Sequence, residues 1–199
     1  MDPMLATLYV ARHGETAWTL SGQYTGLKDL PLTETGQSNA RRLGNALLGR
    51  KFAEVFTSPL QRALSTCRLA GFDAHAEVVP DLVEWNYGEY EGLRIEEIHA
   101  KRPGWDLFRD GCPGGESAQD VGLRADRVLR RVRELGQDVL IFSSGHFLRI
   151  LAARWLGLAL QSAQYFLLST ASLSALSYEH ELTRPAIKFW NDLHHLMHL

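Results

Sequence analysis

The sequence is poor in cysteine, and the two it contains, Cys67 and Cys112, lie far apart in the chain. This pattern offers no disulfide framework and is typical of proteins that work in a reducing compartment. The longest apolar stretch, at residues 151–160, is interrupted by Arg154 and is too short to span a bilayer. Residues 1–11 lack the basic start of a secretory signal. These absences predict a cytoplasmic protein that has no membrane partner.

The chain also lacks a large excess of either charge, with 21 basic and 23 acidic side chains and a formal net charge of −2. Its 199 residues, 45% of them hydrophobic, are enough to bury one sizeable core. No repeat, low-complexity tract or linker divides the sequence. We therefore expect one domain over residues 1–199, with Met4 as an alternative start because residues 1–3 add nothing to the strand pattern that follows.

Two clusters of basic side chains are interpreted as structural features of the fold rather than as binding sites. Five arginines lie between residues 124 and 133, with acidic partners four positions away in the pairs Asp120–Arg124, Asp126–Arg130 and Arg130–Glu134. This spacing is typical of a solvated helix face, so we expect no nucleic-acid partner. The C-terminal histidines are interpreted as a frayed tail rather than a metal site, and they are His194, His195 and His198.

Three apolar runs end in residues suited to binding phosphate. The first run leads into Arg12-His13-Gly14, the second (54–58) precedes a helix that carries Arg62, and the third (138–142) leads into Ser143-Ser144-Gly145-His146. Such runs fit buried strands of a parallel sheet, which binds ligands at the carboxyl ends of its strands. Arginines and helix N-termini favour anions, and a histidine nitrogen is a potential nucleophile. The sequence therefore predicts a phosphate site at one rim of the sheet.

The order of strand and helix patterns predicts a layered α/β fold. Ser117 and Asp120 form a capping-box pattern that opens a helix. Residues 173–178 and 186–190 are predicted to be late strands. Residues 101–116 are rich in proline and glycine and precede that helix, and we interpret them as a candidate lid over the rim.

Three motifs follow one another along nearly the whole chain. They are Arg12-His13-Gly14-Glu15-Thr16, then Thr57-Ser58-Pro59 with Arg62, then Glu84 with Tyr87, Gly88 and Glu91-Gly92. Together they resemble the histidine phosphatase superfamily, which is also called the phosphoglycerate mutase-like superfamily. Residues 21–27, 29–33 and 110–117 resemble its sugar-phosphate branch, with sedoheptulose bisphosphatase and small bacterial acid phosphatases. The resemblance implies a three-layer α/β/α fold around a mostly parallel six-stranded sheet.

The resemblance also implies roles for individual residues. His13 would be the nucleophile that forms a phosphohistidine, and the phosphate would be held by Arg12 and Arg62. Spacing alone leaves Glu84, Glu89 and Glu91 as equal candidates for the acid that protonates the leaving oxygen, and only the resemblance selects Glu84. Further phosphate- or substrate-binding candidates are Gly14, Thr19, Thr25, Gly26, Ser144 and Gly145. No metal or cofactor is implied, because the cationic side chains already fill the electrostatic role.

The chain departs from the family pattern at Ser144. In the family a second active-site histidine precedes a glycine and lies five residues before an arginine, whereas counting back five from Arg149 leads to Ser144. His146 follows two positions later. In an extended backbone the two side chains would share a face, but they would point nearly opposite ways if a helix begins at Gly145. We favour His146 as a partial substitute and keep a weakened site as the alternative. Thr19, where the family often has asparagine, is a smaller departure.

The sequence thus predicts a phosphomonoesterase that acts on a small phosphorylated metabolite, by resemblance a sugar phosphate, through a phosphohistidine intermediate. One alternative is a phosphoglycerate mutase, although the segment between Glu84 and Glu116 lacks the longer basic insertion typical of mutases. The other alternative is a phosphate-binding protein with little turnover, because Ser144 stands where the family has a second active-site histidine.

Overall fold

The computed structural model of the protein describes residues 5–197, so Met4 and His198 lie outside the described residues. The strands are β1 (Leu8–Arg12), β2 (Glu54–Thr57), β3 (Ala76–Val78), β4 (Val139–Ser143), β5 (Leu173–Tyr178) and β6 (Pro185–Asp192). The helices are α1 (Ala17–Ser21), α2 (Glu34–Ala46), α3 (Gln61–Leu69), α4 (Ile95–Lys101), α5 (Leu107–Asp110), α6 (Ala118–Leu135) and α7 (Gly145–Trp155). Short 3-10 turns cover Asp73–His75, Pro80–Leu82, Gly88–Tyr90, Leu160–Tyr165 and His194–Leu196.

All six strands form one sheet in the order β3-β2-β4-β1-β5-β6. The first four of these neighbours pair in parallel, whereas β5 pairs antiparallel with both β1 and β6. Only β5 therefore runs against the rest, which confirms the predicted mostly parallel six-stranded sheet. Arg12 at the end of β1 is paired with Ser143 at the end of β4. The residues that follow these two strands consequently emerge side by side at one rim.

Alternate side chains of β1 enter two hydrophobic cores on opposite faces of the sheet. Leu8 and Val10 belong to the core that includes α6 and α7, while Tyr9 and Ala11 belong to the core that includes α2 and α3. A strand covered on both faces needs apolar residues at every position, which is why this segment reads as an unbroken apolar run. The layers are those of the predicted α/β/α fold. Within residues 5–197, none of the helices has the length and apolar character needed to cross a bilayer.

Ion pairs join α6 to residues outside it. The ion pairs are Arg124–Glu116, Arg127–Asp81, Arg131–Glu77 and Arg154–Asp126. The predicted pairing four positions along the helix was wrong, because Asp126 reaches Arg154 on α7 instead. Asp120 is occupied by Ser117 in the predicted capping box. These arginines thus join α6 to its neighbours.

The C-terminal segment is ordered against the sheet over its described residues. His194–Leu196 forms a 3-10 turn, and Arg42 of α2 donates a hydrogen bond to the Leu196 carbonyl at 3.2 Å. The Nε2 of His195 donates to the Ala171 carbonyl at 2.9 Å. The prediction of a frayed tail was therefore wrong for His195, because its imidazole has a specific partner next to β5.

Candidate active site

A cavity of about 320 Å³ opens at the carboxyl ends of β1 and β4. It is lined by Arg12, His13, Trp18, Thr19, Gly22, Gln23, Tyr24, Thr25, Glu84, Tyr87, Ile95, Gly145, His146, Arg149 and Leu168. The predicted site residues among these are Arg12, His13, Thr19, Thr25, Glu84, Gly145 and His146. Four other predicted site residues do not line the cavity: Gly14, Gly26, Arg62 and Ser144. Cationic, hydroxyl and aromatic side chains therefore surround one carboxyl group.

His13 is held by its backbone on two sides immediately after β1. Its N–H donates to the Ser143 carbonyl at 2.9 Å, and its carbonyl accepts from the Ala171 N–H at 3.0 Å. The ring Nδ1 lies 2.7 Å from the Gly14 carbonyl oxygen. A carbonyl oxygen can only accept, so Nδ1 carries the proton and the neutral ring keeps its lone pair on Nε2. This tautomer leaves Nε2 available as a nucleophile.

The environment of His13 favours the neutral ring. Burial lowers its pKa well below the ordinary value, and the positive charges of Arg62 and Arg12 lower it further. Only the neutral imidazole can attack phosphorus, so the same cations that would bind phosphate also maintain the nucleophile.

This electrostatic setting predicts a shifted titration. A lowered pKa means that the neutral form persists as the pH falls, so the His13 ring should remain neutral at pH 6.5, where an ordinary histidine is half protonated. NMR titration of the ring in the ligand-free protein measures this directly, and the acid limb of kcat/KM should follow it. A His13 midpoint at or above pH 6.5 would contradict this account of the site.

Arg12 lies against the first turn of α7. Its Nη1 donates to the Leu168 carbonyl at 2.5 Å, while its buried Nε has no hydrogen-bond partner among the described residues. A methyl group at Gly145 would lie 3.2 Å from both Nε and Cζ of Arg12. A side chain at position 145 would therefore crowd the Arg12 guanidinium in its present position.

Substituting Gly145 with alanine should displace this guanidinium. We expect the affinity for inorganic phosphate to fall several-fold, up to about tenfold, because about 1.4 kcal/mol of charge-assisted hydrogen bonding is worth a factor of ten. Isothermal titration calorimetry measures the change. In an Arg12→Ala background the same substitution should have no further effect, and an equal loss in both backgrounds would show that Gly145 does not act through Arg12.

Arg62 is fully buried on α3 and supports the loop that follows α1. Its Nη1 donates to the Lys28 carbonyl at 3.0 Å, and its Nη2 donates to the Gly26 carbonyl at 2.8 Å and the Thr25 carbonyl at 3.2 Å. Its Nε has no partner among the described residues. Burial lowers the pKa of Arg62, as it does that of Arg12, although a guanidinium remains charged at neutral pH.

The loop residues Thr25 and Gly26 contact Arg62 through their backbones. Gly26 also donates its N–H to Glu91 at 2.7 Å, and a methyl group there would lie 2.6 Å from the Trp85 carbonyl. This close packing explains the glycine without invoking a ligand. The carboxylate of Glu91 therefore supports this loop, and it does not line the cavity.

Glu84 is the carboxyl group of the cavity, and its two oxygens accept three backbone N–H groups. Oε1 accepts from Trp85 at 2.9 Å and from Phe147 at 2.8 Å, and Oε2 accepts from His146 at 3.0 Å. Two of these donors, the N–H groups of His146 and Phe147, belong to the first turn of α7. Of the three candidates Glu84, Glu89 and Glu91, Glu84 is the one that lines the cavity. Its role as the acid stays a prediction.

Ser144 and His146 point in different directions because α7 begins at Gly145. Ser144 is the extended N-cap residue, and its Oγ lies 3.5 Å from Nη2 of Arg62. The Nδ1 of His146 lies 2.6 Å from the Tyr87 hydroxyl, and its ring stacks on Tyr24 at a centroid distance of 5.8 Å. His146 therefore does not occupy the position of Ser144, and this geometry favours the alternative of a weakened site.

Two further predicted residues serve the local backbone. The Gly14 N–H donates to Thr66 at 2.9 Å, and a methyl group on Gly14 would lie 2.6 Å from the Gly36 carbonyl. Thr19 lines the cavity, but its hydroxyl donates to the Thr16 carbonyl and accepts from the Thr16 N–H within the cap of α1. Ligand binding by Gly14 and Thr19 stays a prediction.

Sequence reasoning missed several cavity residues, above all Arg149 and Tyr24. Arg149 donates from Nε to the Ala163 carbonyl at 2.9 Å and lies over the Phe108 ring at 4.7 Å. A signal was present, because Arg149 is three residues beyond His146 and hence on the same side of α7. Tyr24 offered no comparable signal, since its position depends on the loop after α1.

The segment 101–116 forms part of the core beside the cavity. Trp105 and Phe108 are each only 4% exposed, and the Phe108 ring contacts that of His146 at 5.7 Å. Within the described chain, no residue of this segment lines the cavity. Its role as a lid stays a prediction. Residues 5–197 also contain no group of three histidine, cysteine, aspartate or glutamate side chains arranged to hold a metal ion.

A buried histidine beside the buried Arg62 and the partly buried Arg12, at the strand ends of a mostly parallel sheet, indicates an enzyme that handles phosphate groups. The model of the histidine phosphatase superfamily (branch 1) matches residues 8–193. The chain belongs to this superfamily, which confirms the resemblance found in its motifs.

Individual relatives agree with this assignment. An acid phosphatase from Mycobacterium tuberculosis is 40% identical over 185 residues, which cover 90% of each chain. Sedoheptulose 1,7-bisphosphatase from Saccharomyces cerevisiae is 37% identical over 81% of this chain and 71% of its own. The solved structure of the product of an open reading frame of Mycobacterium tuberculosis superposes with a TM-score of 0.88 and 36% identity, over 94% of this chain and 97% of the other. Phosphoglycerate mutases also match the sequence.

Proposed function

We propose that the protein is a phosphomonoesterase that hydrolyses a small phosphorylated metabolite, of the sugar-phosphate class, through a phosphohistidine at His13. The observation that carries this proposal is the hydrogen bond from Nδ1 of His13 to the Gly14 carbonyl, which reserves the Nε2 lone pair. Arg12 and Arg62 supply fixed positive charge close to that nitrogen. The names of the relatives, an acid phosphatase and a sugar bisphosphatase, support the same class.

The proposed reaction has two displacements at phosphorus. In the first, Nε2 of His13 bonds to phosphorus while the ester P–O bond breaks, and Glu84 gives its proton to the leaving alkoxide. In the second, water gives a proton to Glu84 and its oxygen bonds to phosphorus, which breaks the P–N bond and releases inorganic phosphate. Arg12 and Arg62 stabilise the charge on the equatorial oxygens throughout.

The size and lining of the cavity support a small polar substrate. A volume of about 320 Å³ lies at the lower end of the range for small-molecule sites. Gln23, Thr25 and His146 offer hydrogen-bonding groups beyond the nucleophile, and Trp18 and Tyr24 offer aromatic surfaces. This mixture suits the hydroxyl groups and carbon skeleton of a phosphorylated sugar.

A panel of sugar phosphates, scored by release of inorganic phosphate, tests the proposal. The active substrate should leave an acid-labile, alkali-stable phosphoryl group on His13 when the reaction is quenched. Vanadate should inhibit because it mimics five-coordinate phosphorus, and chelators should not, because the arginines carry the charge. Isotope-labelled phosphoglycerate separates the alternatives, since a mutase moves the label between positions while a phosphatase releases it.

A second candidate is a phosphate-binding member of the family with weak turnover. The specific observation in its favour is Ser144, whose hydroxyl faces Arg62 where the family pattern has a histidine. Tight phosphate binding without release of phosphate from any member of the panel would support this candidate.

A cytoplasmic location and a single-domain chain belong to the same proposal. Cys67 and Cys112 are both free and buried, and burial raises the pKa of each thiol to about 12. Thiols in this state are unreactive, which is compatible with a reducing compartment. We expect the partner to be the phosphorylated metabolite, with no nucleic acid.

A further inference from the structure

The loop at residues 167–172, which we name the site loop, contacts both predicted phosphate-site residues of β1. The Leu168 carbonyl accepts from Nη1 of Arg12 at 2.5 Å, and Leu168 also lines the cavity. The Ala171 N–H donates to the His13 carbonyl at 3.0 Å. The position of the site loop therefore sets the orientation of the Arg12 guanidinium and supports the backbone of His13.

The site loop holds a backbone conformation that it would not adopt unaided. Ala171 has a φ of 55° and is fully buried. A residue with a Cβ is strained in this left-handed region, and it stays there only when its surroundings impose the conformation. External contacts must therefore maintain the loop.

Side chains near the C-terminus supply those contacts at every second residue of the site loop. Nε1 of Trp190 donates to the Leu167 carbonyl at 2.8 Å. Oδ1 of Asn191 accepts from the Ser169 N–H at 2.7 Å. Asn191 itself has a φ of 55°, and its own N–H is bonded to a serine hydroxyl of β5. These two residues fix the first half of the loop to the end of β6.

His195 supplies the third contact, at the strained residue. Its Nε2 donates to the Ala171 carbonyl at 2.9 Å, and the side chain is half-buried. Its turn is tied to α2 through the bond from Arg42 to the Leu196 carbonyl. The neighbouring His194 is exposed, and over residues 5–197 the partner of its ring is Asp192. Two adjacent histidines thus differ sharply in what they contact.

We propose that His195 is a positioning residue that keeps the site loop, and through it Arg12, in the geometry that binds phosphate. The inference rests on the proposed function for the identity of the anion. Arg62 is held separately by the loop at residues 25–28, so loss of the His195 bond should weaken anion binding without abolishing it. A role in folding alone would lower stability and leave the affinity of the folded protein unchanged.

The test compares His195→Leu, His195→Gln and His194→Ala by calorimetric titration with inorganic phosphate. Leucine removes the donor, and we expect about tenfold weaker binding, the value of one hydrogen bond of about 1.4 kcal/mol. Glutamine can place its amide N–H near the position of Nε2 and should restore binding to within about twofold. His194→Ala should bind as the wild type does, since His194 does not touch the site loop.

Wild-type affinity in His195→Leu, or an equal loss in His195→Gln, would overturn the proposal. Amide hydrogen exchange over residues 167–172 provides a second measurement, and faster exchange in His195→Leu but not in His195→Gln is expected. If exchange does not change, His195 does not hold the loop. A wild-type protein that binds phosphate but hydrolyses no phosphomonoester would refute the proposed function, while the comparison of affinities would still decide the role of His195.

Discussion

Replacing His13 with alanine is expected to lower kcat by on the order of 10⁴-fold or more, because loss of a nucleophile removes the covalent route entirely. His13 is 3% exposed, and its Nδ1 is fixed on the Gly14 carbonyl, so the lone pair of its neutral ring is on Nε2. The measurement is release of phosphate from the best sugar phosphate of the panel, together with trapping of the phosphoryl group. The trapped adduct should disappear with the activity.

His75→Ala is a suitable control for this experiment. His75 is exposed in a 3-10 turn and does not line the cavity. Its loss should leave both turnover and the trapped adduct unchanged. Because alanine at position 13 leaves a void, wild-type phosphate affinity in His13→Ala would show that the site is still assembled. Activity near the wild-type level in that variant would remove His13 from the mechanism.

The location of the candidate site could be predicted because buried parallel strands appear in the sequence as unbroken apolar runs. The apolar runs of β1 and β4 lead directly into His13 and Ser144, and parallel pairing brings strand ends together whatever the loops do. The same logic placed Arg62 near the rim. The directions of the Ser144 and His146 side chains depend on whether a helix begins at Gly145.

Other parts of the site depend on contacts that no local pattern encodes. The orientation of Tyr24 against His146 depends on the loop after α1, and the role of Glu91 depends on the amide of Gly26. The short strand β3 has three residues, too few for a period to be seen. Asp126 pairs with Arg154, which is 28 positions away in the chain, so the i,i+4 rule gave the wrong partner for Asp126.

The C-terminal histidines illustrate the same limit. Adjacent polar residues at a chain end suggest fraying, and for exposed His194 that impression is reasonable. His195 differs because it is half-buried and its ring contacts the Ala171 carbonyl. The contact with Ala171, which is 24 positions away in the chain, thus holds His195 in place.

Replacing Ser144 with histidine is expected to raise kcat on the order of tenfold to a hundredfold. A preorganised donor at a charged transition state is worth about 10²–10³-fold when it is removed, and a newly introduced donor recovers part of that. The structure supports a gain because α7 begins at Gly145. The His146 ring is therefore directed towards Tyr87, and the side chain beside Arg62 at this strand end is the Ser144 hydroxyl. A neutral hydroxyl donates one hydrogen bond, whereas an imidazole that gains a proton when it pairs with the bound phosphate anion donates a charge-assisted bond about twice as strong.

His146→Ala is the informative partner of Ser144→His. If the site is weakened, as the geometry favours, His146→Ala should change kcat little and should act mainly on KM, because His146 borders the cavity away from Arg62. If His146 instead fills the role of the missing histidine, its loss should cost about 10²-fold or more and Ser144→His should gain nothing. Ser144→Ala controls for the hydroxyl alone, and thermal melts control for the larger side chain in a fully buried position. The weakened-site account therefore fails if Ser144→His folds normally without a gain while His146→Ala loses turnover.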